Sequence, residues 1–191
     1  MKSAIIIATA LAICLLSTSN AQEIVDRKEY GNIVGAVYCR VETEIDIFTE
    51  EEKHNILCSA SEGLIENKDI SFSASISSFE DDSILVFLIP IPASNLIPDI
   101  DNGNMLIRVD QNRPELIAKP YFPESPEFRP SVIQGSIAIK DFLAKVKEGK
   151  QRLAIRIGTV TEAMPLNNQT TAAIEDFLRR TENLPAFQIQ D

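Results

Sequence analysis

Residues 38–58 read YCRVETEIDIFTEEEKHNILC, with a cysteine near the start and another at the end of an acidic stretch that holds the chain's only histidine. Val37, Cys39 and Val41 alternate onto one face of a strand, and Ile56, Cys58 and Ala60 do the same further on. Two antiparallel strands joined by the segment between them bring the sulfurs of Cys39 and Cys58 together across an apolar face. Closing a loop of this length stabilises by roughly 3 kcal/mol in the chain-entropy picture. The competing reading is a metal or redox site. Two thiols and His54 are too few ligands and match no zinc spacing, and a redox pair sits as C-x-x-C. His54 reads as a solvated histidine in a polar loop, and Glu50-Glu51-Glu52 as a solvated turn. The pair is expected to be a disulfide.

The leader supports that pairing. MKSAIIIATALAICLLSTSNAQ carries Lys2, an apolar run from Ala4 to Leu16, and Ser19-Asn20-Ala21 before Gln22. This is the layout of a secretory signal peptide over residues 1–21. Its apolar core is shorter than the roughly 20 residues that span a bilayer, so no transmembrane anchor is expected after cleavage. A lipoprotein site at Cys14 would want a small residue before it, where Ile13 stands. Residues 22–191 then form a single domain with room for a real core. Cys14 leaves with the leader, and the even pair that remains suits an oxidising compartment.

Asp and Glu number 28 against 18 Lys and Arg. A net negative surface repels phosphate backbones, and no basic stripe with interleaved aromatics exists, so nucleic acid is excluded as a partner.

Strand patterning dominates the rest. ISFSASISSF puts Ile70, Phe72, Ala74 and Ile76 on one face and serines on the other. ILVFLIPI is apolar on both faces, as a central strand is, until Pro90 and Pro92 end its ladder. MLIRVD and ELIAK flank the turn DQNRP, and SVIQGSIAI reads as a further strand after the proline-rich loop 114–130. Two helices are expected. KDFLAKVKEGK presents Phe142, Leu143 and Val146, with Gly149 as a left-handed stop. TTAAIEDFLRRTE presents Ile174, Phe177 and Leu178, capped by Thr170 or Thr171. QRLAIRIGTV forms a strand between them. The pattern predicts an all-β fold, an antiparallel β-sandwich with one or two short helices in the C-terminal third.

The order LVFLIPIP, LIPDIDNG, LIRVDQNRP, YF, IAIKDFLAKVKEGK and RLAIRI, following the paired cysteines, resembles the invasion-associated locus B family of bacterial exported proteins. The likeness runs from about Ile33 to Leu178 and rests on structural motifs, among them Val146, Lys147 and Gly149 at a helix end. It departs in lacking a Trp before the first cysteine, and in holding prolines where many members have a second cysteine pair. The resemblance implies a β-sandwich envelope protein of Gram-negative bacteria, in the periplasm or at the outer surface, tied in some pathogens to host-cell invasion. It carries no catalytic residues.

Other chemistry is thinly supported. No G-x-S-x-G, H-E-x-x-H, P-loop or dinucleotide fingerprint is present, and no cofactor or metal is expected. Asp99, Asp101 and Asp110 invite a calcium reading, yet Gly103 falls fifth where an EF-hand loop needs it sixth. NQT at 168–170 fits a glycosylation pattern that is short enough to arise by chance. Carboxylate pairs for glycoside hydrolysis are not readable from linear spacing, and the lack of Trp removes the commonest sugar platform. The expected function is that of an exported, non-enzymatic protein acting through surface contacts with a protein partner. Tyr121, Phe122 and Phe128 are the candidate interaction surface, against the plainer reading that they cover the end of the sandwich. A periplasmic chaperone or enzyme inhibitor is the alternative, and an uncharacterised enzyme the third reading.

Overall fold

The structure, a computed structural model, describes residues 22–31, 37–61, 69–78, 83–88, 105–117, 131–157 and 160–184. Alternation builds its larger sheet. β1 (Gln22–Gly31), β2 (Tyr38–Asp46), β3 (Glu52–Ser61), β4 (Asp69–Ser77), β5 (Ile84–Leu88) and β8 (Ser131–Gln134) lie side by side in the order β1-β2-β3-β4-β5-β8. Every pairing is antiparallel. A period of two sends Cys39 and Val41, Ile56 and Cys58, Phe72 and Ala74, and Leu85 and Phe87 to one buried face. ILVFL is central as expected, between β4 and β8.

A second antiparallel sheet has the order β10-β9-β6-β7, from β6 (Met105–Val109), β7 (Glu115–Ile117), β9 (Arg152–Ile157) and β10 (Val160–Pro165). α1 (Ser136–Glu148) and α2 (Asn168–Arg180) complete the body. α2 packs on β1, β2 and β3, α1 packs on β5, β8 and α2, and β10 touches β3 and β4. An all-β description is therefore too narrow. The molecule is β-dominated, with two C-terminal helices laid on the sheet face that Ile174, Phe177, Phe142 and Leu143 help to bury. Phe142 stacks edge-on against Phe87 with ring centroids 5.5 Å apart, which ties α1 to the centre of the larger sheet.

Several local expectations are corrected. Ser136–Ile139 are helical, not strand, because Gly135 at φ 92° turns the chain and its carbonyl accepts from the Ile139 N–H. Gly149 is extended at φ −65° and not left-handed. A Cβ there would meet Leu166 Cδ1 at 2.4 Å and Val109 Cγ1 at 2.7 Å, so the position requires space rather than a special dihedral. The cap of α2 is Asn167, whose side-chain oxygen accepts from the Gln169 and Thr170 N–H groups. His54 is in β3, 3% exposed, and not in a loop. Of the three acids read as a turn, Glu50, at φ 59°, and Glu51 stay in the connection, while Glu52 opens β3. The sequence pattern does not announce β1 and β10: β1 is exposed on both faces except at Tyr30, and β10 buries Met164 between Ala163 and Pro165. The signal-peptide reading of 1–21 lies outside the described residues.

Candidate functional site

The strand–helix junction on the smaller sheet leaves a half-open groove. The β6–β7 hairpin forms one wall and α1 the other, enclosing about 500 Å³. Ile107, Val109, Ile133 and Phe142 floor it, and Leu116, 57% exposed, forms an apolar lip. Its rim is charged. Lys145 Nζ donates to both Glu115 carboxylate oxygens at 2.9 Å across the mouth, with Arg113, Asp141 and Glu148 nearby. The volume lies within the range of about 300–1,000 Å³ typical of ligand sites. An apolar floor inside a ring of mixed charges suits a docked apolar side chain or short segment.

Asp110 fixes the hairpin that makes one wall. It sits at φ 52°, and its carboxylate accepts from the backbone N–H groups of Lys150 at 2.7 Å, Gln151 at 2.8 Å and Arg152 at 2.9 Å. Backbone donation from Lys150 and Arg152 holds its carboxyl below the ordinary value. The calcium reading of this residue gives way to a structural one, because its oxygens are engaged by the start of β9. Asp99 and Asp101 lie outside the described residues.

A polar cluster is buried where α2 crosses the larger sheet. Arg180 Nη1 donates to Thr43 Oγ1 at 2.9 Å, and Thr43 Oγ1 lies 3.0 Å from His54 Nδ1. Arg180 also pairs with Asp176 at 3.0 Å and Asp26 at 2.8 Å, joining the helix to β1. Burial works against the Asp176 charge, yet hydrogen bonds from Arg180 and Arg179 outweigh it and its carboxyl stays below the usual value. Burial depresses the His54 pKa, aided by the Arg180 and Lys140 charges and opposed by Glu52. His54 Nε2 lies 3.2 Å from Glu52 Oε1 but off the line of a hydrogen bond. A neutral ring accepting the Thr43 proton at Nδ1 and turning N–H toward Glu52 satisfies this geometry. Lys140 Nζ donates to the Thr181 carbonyl at 2.6 Å at the end of α2. These contacts lock helix to sheet; with His54 only 3% exposed, its ring is closed to a substrate.

Cys39 and Cys58 are directly opposed in the β2–β3 ladder and joined by a disulfide. Tyr121, Phe122 and Phe128 lie outside the described residues. The groove was missed in the sequence because Ile107, Val109 and Phe142 follow ordinary core periodicity. Leu116 gave no separate signal, since it stands inside β7 between Glu115 and Ile117. Among the described residues no His, Cys, Asp or Glu side chains gather in threes as a metal set, and no helix is long and apolar enough to cross a membrane. No protein-family model, curated protein or solved structure matches the chain.

Proposed function

We propose that the chain is an exported, non-enzymatic protein of a Gram-negative cell envelope, working in the periplasm or at the outer surface through contacts with another protein. The α1/β6–β7 groove carries this reading: an apolar floor and an exposed Leu116 inside a charged rim make a seat for a partner side chain. The Cys39–Cys58 disulfide favours an oxidising compartment. The resemblance to the invasion-associated locus B family points the same way, and a role in host contact follows from it alone. A single sandwich-type domain over residues 22–191 is supported by the contact of β10 with β3 and β4.

The test is capture of partners from the native envelope with the mature chain and with Leu116→Glu, alongside cell fractionation. A partner retained by the wild type and lost with Leu116→Glu supports the proposal. Capture of a defined soluble enzyme or unfolded clients would move the reading to an inhibitor or chaperone. Identical capture by both chains would remove the groove from the function.

A further inference from the structure

Four of the five large hydrophobic side chains exposed among the described residues sit at one end of the larger sheet: Ile24 at 46%, Val25 at 49%, Ile47 at 58% and Phe48 at 81% exposure. Ile47 and Phe48 occupy the apex of the β2–β3 hairpin, and Gln22 of β1 is opposite Asp46 where that apex begins. The apex is held rigidly. Asp46 Oδ1 accepts from the Phe48 N–H at 2.8 Å and the Thr49 N–H at 2.9 Å. The Asp46 carbonyl accepts from the Glu50 N–H at 2.8 Å, and the Asp46 N–H donates to the Glu51 carbonyl at 2.9 Å. The Cys39–Cys58 bond pins the same two strands further along.

A turn so constrained presents its apolar residues in one conformation, which lowers the ordering cost of a contact. Scattered apolar residues on a surface need no explanation, but a cluster fixed at one tip does. Its surroundings are acidic: Glu23, Glu44, Glu50 and Glu52 stand around it, and the nearest cation in sequence, Arg27, is paired with Glu42. The whole chain carries a formal charge of −10.

We infer that this hairpin tip is a second contact surface, and that it takes a cationic amphipathic polypeptide segment. The partner's apolar side chains cover Ile47, Phe48, Ile24 and Val25, and its Lys or Arg residues meet the surrounding carboxylates. An anionic lipid surface has the wrong sign for this collar, and a second copy of the chain would oppose acid to acid. The inference stands on the hairpin alone and does not depend on the groove.

A short synthetic peptide of alternating leucine and lysine serves as the probe, titrated into the isotope-labelled mature protein and followed by amide NMR shifts. Expected are shifts concentrated at residues 22–25 and 46–52. The combined change Ile47→Ser and Phe48→Ser should weaken the peptide about tenfold or more. Raising ionic strength from about 0.02 M to about 0.3 M should weaken it as well. Both substituted positions are exposed turn residues, so the variant folds. Leu116→Glu should leave peptide affinity unchanged, which separates failure here from failure at the groove. Shifts located elsewhere, or an unchanged affinity of the Ser variant, would overturn the inference. Equal binding of an alternating leucine–glutamate peptide would overturn the charge argument. So would tip shifts on phosphatidylglycerol vesicles stronger than those on the peptide, or shifts that follow protein concentration alone.

Discussion

His54 shows how much one buried side chain can set at the residue scale. Its folded pKa lies below the unfolded value near 6.5, so the unfolded chain takes the proton first. The stability tied to this group is complete above about pH 6.5 and declines as pH falls through that value toward the folded pKa. With a single histidine in the chain, no other side chain of ordinary pKa titrates between about pH 5 and 7. The urea midpoint of the wild type should therefore drop across that window, and His54→Leu should flatten the slope. An equally steep slope in the variant would show that the effect comes from elsewhere. Asp110 works in the opposite range. Its carboxyl is held low, so its contribution is present above about pH 3.9 and is lost as pH falls through the folded value. Asp110→Ala removes three backbone acceptances and places alanine at φ 52°. A loss of about 1–3 kcal/mol is expected, read as a Tm lowered by several degrees. Neither role was legible in the sequence. A histidine among acids gives no sign of its neighbours across a ladder, and an aspartate in a turn does not announce donors some forty residues on.

At the scale of elements, strands with one apolar face were readable and their ends were not. Ile70, Phe72, Ala74 and Ile76 declared β4 because burial falls on every second residue. β1 did not declare itself, since an edge strand with both faces wet has no such contrast. In α1 the run Ser136–Ile139 alternates as a strand would, and a backbone turn at Gly135 decides the matter. Helix ends offer two measurable consequences. Asn167→Ala removes the acceptor for the Gln169 and Thr170 N–H groups and should cost about 1 kcal/mol in a denaturant titration. Gly149→Ala should destabilise by about 1–3 kcal/mol, because the new methyl presses on Leu166 and Val109. A neutral or stabilising result would mean that these two side chains yield and that the position does not require glycine.

For the whole molecule, the balance of β over α and the disulfide came through from the residues, while the role of the helices did not. Periodicity gives each helix an apolar stripe, yet only the fold shows that those stripes lie on the larger sheet. The groove belongs to this scale too, formed by a hairpin and a helix that no local pattern joins. Replacing both Cys39 and Cys58 with serine should lower the unfolding free energy by roughly 3 kcal/mol. The dependence on denaturant should stay steep, because β2 and β3 remain paired through their ladder. Loss of a cooperative transition would mean that the bridge holds the sheet together and not only the hairpin.

The placement of α2 bears on how such a chain is made. The last helix of the described residues rests on the first three strands. A ribosome delivering the polypeptide from its amino end releases Val41, Ile56 and Cys58 long before Ile174 and Phe177 arrive to cover them. Until α2 emerges, that oily surface stands open to its surroundings. A chain interrupted before residue 168 should accordingly clump or be degraded, however well its hairpins have formed.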